Sequence, residues 1–161
     1  MHKALFTITA ALVVTGILGC KSTHPTGATG PHTAAVMAPV HQFVDGFNKG
    51  DFKSAVAACA DQMSIIDDLP PHEWHGAGAL DRWMSDYDTD AKLKGMTDEV
   101  VALGEPKHVD VTGDRAYVVV PTTYDYKEHG KAVPQKSAIL TVALHKAEGH
   151  WLITGWSWAQ D

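Results

Sequence analysis

The sequence predicts an α+β fold in which helices cover one face of a meandering antiparallel sheet. Two observations carry this. Apolar residues recur at helical spacing as far as Tyr87, and beyond residue 99 the pattern alternates in long segments divided by glycine turns. A third sets the scale: residues 36–161 are long enough to bury a single core as one domain.

The elements follow in order. Val36, Val40, Phe43, Val44 and Phe47 form the apolar stripe of a first helix, closed by Gly50 and followed by Asp51 as the N-cap of a second. That second helix places Phe52, Ala55, Val56 and Cys59 on one face, with Cys59 as a small buried hydrophobe rather than a reactive thiol. A short strand at 63–67 leads to the Pro70-Pro71 break, and a third helix at 76–87 carries Leu80, Trp83, Met84 and Tyr87 on its apolar side. Four strands are expected at 99–111, 115–126, 132–145 and 150–159, separated by Gly113-Asp114, His129-Gly130 and Glu148-Gly149. Pro121 cannot donate to a ladder, so a bulge or an edge position is expected there. In the last strand Trp156 and Trp158 share one face by alternation and Trp151 takes the other, which leaves one group for an interface.

Residues 1–19 read as an export signal: Lys3 is the positive start and the apolar run after it ends in small residues, too short for a transmembrane helix. Ile17-Leu18-Gly19-Cys20 resembles the lipobox of bacterial lipoproteins, which implies lipid on Cys20 and an exported protein anchored to the cell envelope. Residues 20–35 then form the lipidated cysteine and a flexible linker rich in Ser, Thr, His, Pro and Gly, and residues 36–161 the domain. With Cys20 lipidated, Cys59 is the one remaining cysteine and has no partner for a disulfide.

The domain holds all nineteen acidic residues and eleven of the thirteen Lys and Arg, a formal charge of -8. This argues against nucleic-acid binding, which draws on clustered basic residues. No cofactor motif is present, and neither a phosphate-cradling glycine loop nor a serine nucleophile elbow occurs. Asp81, Asp86, Asp88 and Asp90 lack the glycine and terminal glutamate of a calcium loop and read as a solvated face. His72 and His75 are three apart in what the prolines mark as a loop, so no metal site is expected; His75 is placed structurally before the third helix.

Phe47-Asn48-Lys49-Gly50-Asp51-Phe52, the His75-Gly76 step, Gly113-Asp114-Arg115-Ala116-Tyr117 and the closing segment from His150 to Trp158 together resemble the SnoaL-like branch of the nuclear transport factor 2-like superfamily. That resemblance implies a cone: a curved antiparallel sheet, cystatin-like, wrapped around three N-terminal helices, with an open mouth and frequent homodimerisation through the sheet face. Against the ketosteroid-isomerase-like pattern, Asp67 matches the general base. Phe43 and Val142 stand where the two hydrogen-bond donors belong and can donate nothing, which disfavours steroid-type isomerisation.

Asp67 therefore has two readings of equal weight, a general base prepared by desolvation and by Asp68, or a strand-ending aspartate that caps the following turn. Phe43, Trp74, Trp83, Tyr87 and Trp156 are the expected pocket residues. The expected function is an envelope protein that binds a small, partly apolar ligand or a protein partner. The alternative is an enzyme of isomerase, hydrolase or dehydratase type using Asp67 assisted by His75 or Tyr124.

Overall fold

The computed structural model describes residues 31–160. The expected export signal, Cys20 and most of the expected linker lie outside the described residues. The linker expected to reach residue 35 ends earlier, because helix α1 spans Pro31–Lys49. Its stripe of Val36, Met37, Val40, Phe43 and Val44 is buried.

Helix α2 (Phe52–Ala57) is short and capped by the Asp51 carboxylate, which accepts from the Ser54 N–H at 3.0 Å. It corrects the sequence reading in two ways. Phe52 and Val56 are exposed while Ala55 and Ala58 pack inward, and Cys59 opens a strand instead of closing the helix. The cause is a close approach: a Cβ on Gly46 would stand 2.7 Å from the Ala55 backbone nitrogen, so α2 presents its small residues to α1.

Strand β1 (Cys59–Ile66) turns at the prolines and pairs antiparallel with β2 (Glu73–Ala77), where a loop was expected. Helix α3 begins later and runs further than its periodicity suggested, over Ala79–Leu93, burying Leu80, Trp83 and Ala91. The segment expected as one strand is two, β3 (Met96–Leu103) and β4 (His108–Thr112). Strand β5 (Arg115–Glu128), the two-residue β6 (Lys131–Ala132), β7 (Lys136–Ala147) and β8 (His150–Gln160) complete the sheet.

The order is β2-β1-β8-β7-β5-β3, with β4 and β6 also pairing β5. The fold class is α+β as expected, but the sheet is mixed: β1 runs parallel to β8 while the other pairs are antiparallel. The apolar face of the sheet closes on α1 and α3, with Met63, Ile65, Val118, Val120, Leu140, Val142, Leu144 and Ile153 at its centre.

Pro121 takes neither of the simple roles expected for it. Its register with β7 is unbroken, opposite Ile139. On the other side β5 changes partner there, from Leu103 at the end of β3 to His108 at the start of β4. The missing N–H faces that gap, and the Pro121 carbonyl accepts from the Gly104 N–H at 2.8 Å.

Asn48 ties α1 to β3 by a reciprocal pair, its amide donating to the Val101 carbonyl and its carbonyl accepting the Val101 N–H, both at 2.8 Å. Asn48→Ala leaves two strand groups unsatisfied and is expected to cost about 1–3 kcal/mol. Urea denaturation would show this as a lowered midpoint with unchanged slope.

Candidate functional site

Between the inner face of the sheet and α1 and α3 lies a cavity of about 190 Å³. Asp67 is in its wall. Met63 and Ile65 point inward along β1, and the alternation carries Asp67 to the same side at the strand's end. The backbone is held there by Asp67 N–H to the His72 carbonyl at 3.0 Å and His72 N–H to the Leu69 carbonyl at 2.8 Å.

The Asp67 carboxylate divides its two oxygens between the turn and helix α3. Oδ1 accepts the Leu69 N–H at 3.0 Å, capping the turn, while Oδ2 accepts the Trp83 indole N–H at 2.9 Å. Burial pushes the carboxyl up to about 6, a hydrogen bond to Asp68 adds to the rise, and the Leu69 and Trp83 donors pull the other way. The ordinary unfolded value is about 3.9. The stability this carboxyl contributes is therefore complete below about pH 4 and is lost as pH rises through about 6. Asp67→Asn removes the dependence, so its stability relative to wild type should increase between about pH 4 and pH 7. Urea midpoints across that range would read it.

Aromatic rings form the walls. Trp83 meets Trp156 edge to face at 4.9 Å and stacks on Tyr87 at 5.5 Å, with Phe43 and Phe47 beside them. Across the cavity Tyr124 stacks on Tyr126 at 4.8 Å and meets Trp158 edge-on at 6.2 Å. The Tyr87 and Tyr124 hydroxyls are 2.6 Å apart, and both contact Glu99 Oε2, Tyr124 at 3.0 Å. Burial, then the Glu99 carboxylate, drives the Tyr124 phenol far above its ordinary range, so it stays a donor. The Trp156 indole N–H is buried and has no acceptor among the described residues.

Of the residues singled out from sequence, Phe43, Asp67, Trp83, Tyr87, Tyr124 and Trp156 line this cavity together. Trp74 and His75 do not. Trp74 lies opposite Ile65 on β2 and its indole donates to Asp86 at 2.8 Å, pinning α3 to the sheet. His75 is exposed, 3.3 Å from both the Ser64 hydroxyl and Glu73, because β2 alternates it to the outer side. It cannot assist Asp67. Among the described residues no group of three or more His, Cys, Asp or Glu is placed to hold a metal ion, and no helix is long and apolar enough to cross a membrane.

Tyr126, Asp90 and Lys94, which line the cavity, and Glu99, which holds the Tyr87 and Tyr124 hydroxyls, were missed. Glu99 shares its parity with the inward Val101 and Leu103, and an acid on the apolar face of a strand was the available signal. Its orientation depends on a bulge: Thr97 pairs Lys127 and Val100 pairs Asp125, so β3 carries an extra residue. Asp90 lies on the part of α3 beyond the expected end of the helix, and Lys94 caps its C-terminal end.

A second bulge corrects the reading of the last strand. Ala143 pairs Gly155 and Leu144 pairs Ile153, so Thr154 is an inserted residue and the alternation reverses across it. Trp151 therefore packs on the same inner face as Trp156 and Trp158. The separate interface group expected from the alternation is therefore not present on β8.

Solved structures share this architecture. A protein of unknown function with a cystatin-like fold from Nostoc punctiforme matches with a TM-score of 0.65 at 15% identity, over 83% of this chain and 93% of its own. A ketosteroid isomerase-like protein from Erwinia carotovora atroseptica matches at 0.64 and 18% identity, over 82% and 98%. An NTF-2 like protein of unknown function from Shewanella oneidensis matches at 0.57 and 16% identity, over 79% and 98%. No family model matches the chain, and no curated protein matches its sequence. The fold is thus the nuclear transport factor 2-like, cystatin-like cone, the class that the sequence resemblance implied. More narrowly, the chain is such a domain with an aromatic cavity and a carboxyl in its wall.

Proposed function

We propose that the domain binds a small, partly apolar molecule in the aromatic cavity. One observation carries this: Asp67, fixed by Trp83 and Leu69, faces a space walled by rings that the side chains of the described residues do not fill. The unspent Trp156 donor, in the same wall, suits a ligand with an acceptor group. Titration with small aromatic compounds, followed by the indole N–H resonances in NMR spectra, tests the reading. Shifts at Trp83 and Trp156 are expected, and their absence across a chemically varied panel would refute it.

A second reading is favoured by Asp67 itself. A carboxyl near 6 with a fixed orientation is suited to take a proton from a bound carbon acid or from water, with the unspent Trp156 indole N–H as a donor to the developing negative charge. Phe43 and the buried Val142 supply no donors, which supports a reaction other than steroid isomerisation. Deuterium exchange into a bound ketone should rise with pH through about 6, and Asp67→Asn should slow it by about 100-fold or more.

Membrane anchoring is a separate proposal resting on residues 1–20. Cys20→Ser should abolish labelling by a fatty-acid analogue and release the protein from the membrane fraction.

A further inference from the structure

We infer that the ligand of the cavity is an organic cation, an ammonium with apolar substituents whose charge rests at the Asp67–Asp68 pair and whose substituents pack against the indole and phenol rings. This rests on the pocket proposed above and specifies the chemistry of its occupant.

Three features of the site point the same way. The ionisable groups of the wall include the carboxyls of Asp67, Asp68 and Asp90 but one cationic group, Lys94. That lysine is committed, with its ammonium 2.7 Å from Asp90, and Asp67 and Asp68 belong to no ion pair among the described residues. Second, the apolar wall is aromatic on both sides. Ring faces carry partial negative charge and attract a desolvated cation, with Trp the strongest of them. An uncharged ligand would gain from the rings but would not neutralise the carboxylates, and an anion would be repelled by all three. Third, the mouth already stabilises a cation of the chain itself. The hydrogen bond to Asp90 holds the Lys94 ammonium above its ordinary range against its own desolvation, and Tyr126 and Glu128 add to the effect.

The Asp67 carboxyl gives a signature. Burial holds the Asp67 carboxyl up at about 6, and a bound ammonium beside it favours the ionised form against that burial. The groups around the site are Tyr87 and Asp90 on α3, Lys94 just past its end, Glu99 on β3, Tyr124 and Tyr126 on β5, and His72 in the turn. Lys94 is the permanently charged group that opposes a cation, and Asp90 neutralises it. Binding should thus release a proton and tighten as pH rises through about 6.

The experiment compares phenyltrimethylammonium with its uncharged isostere tert-butylbenzene on the full chain, by tryptophan fluorescence and NMR. The ammonium is expected to bind about tenfold more tightly at about pH 8, with the advantage mostly lost at about pH 5. Asp67→Asn should bring the two affinities together. Asp68→Asn, at an exposed position that does not endanger folding, should reduce the preference in the same direction. Equal or tighter binding of tert-butylbenzene would overturn the inference while leaving the pocket reading intact. An ammonium preference indifferent to pH and to both variants would overturn the placement of the charge. Binding of neither compound would overturn the inference and count against the pocket reading as well.

Discussion

Trp83→Ala is expected to destabilise the domain by about 3–5 kcal/mol, the usual cost of removing a large aromatic side chain from a packed interior. Trp83 is 6% exposed and its ring touches Phe43, Phe47, Tyr87 and Trp156, so no single neighbour can close the void. The same change strands Asp67, which loses the N–H at 2.9 Å. Trp83→Phe separates the two effects, since it keeps much of the packing and deletes the donor. A hydrogen bond to a charged group contributes about 1.5–3 kcal/mol, so the phenylalanine variant should retain at least part of the alanine variant's loss. Its deficit should be larger at about pH 8 than at about pH 5, because the indole favours the ionised carboxylate and losing it raises the Asp67 pKa further. Urea denaturation of both variants at two pH values checks this. A pH-independent deficit in Trp83→Phe would show that the indole holds the ring stack and not the carboxyl.

Gly155→Ala is the second large effect. A Cβ there would stand 2.7 Å from the Ser64 carbonyl oxygen, and that neighbour is backbone, so it cannot rotate aside. The parallel β1–β8 pairing, where Ser64 meets Gly155, must shift to admit it. Overpacking of this kind costs about 1–3 kcal/mol. Since β1 ends at Asp67, a shift in its register also moves the carboxyl against Trp83. The variant should therefore lose ligand affinity beyond what its stability explains, with the Trp83 indole N–H resonance displaced in the free protein. A stable variant with that resonance unmoved would contradict the coupling between strand register and site.

Much of the architecture was legible because its signals are local. The turn glycines between the late strands and the change from helical to alternating periodicity located β5, β7 and β8 closely. The stripe of α1 read correctly because packing buries that face and no other. Errors arose where one residue interrupts a period. Thr154 reverses the phase of β8 and brings Trp151 inward, and the bulge in β3 sets the alignment of Glu99. Alternation has no means of recording an inserted residue, since the bulge is defined by the partner strand. His75 was misplaced for a related reason: the segment after the prolines reads as a loop, but the free edge of β1 recruits it as a strand. Phe52 and Val56 were expected inside, and the close approach at Gly46 left them exposed.

The chain's own residues determined the α+β class, the order of its layers, the acidic balance of the domain and the presence of a carboxyl at the end of β1. These follow from periodicity, turn chemistry and charge, which act over a few neighbouring residues. Only the tertiary structure decided that Asp67 would share its two oxygens between a turn and an indole on α3, that Glu99 would bridge two tyrosines, and that Trp74 would serve the helix–sheet contact instead of the cavity. Each of those outcomes depends on which strand lies beside which and in what register. Such choices are made by burying the sheet's apolar face against α1 and α3 as a whole, so no single stretch of sequence contains them.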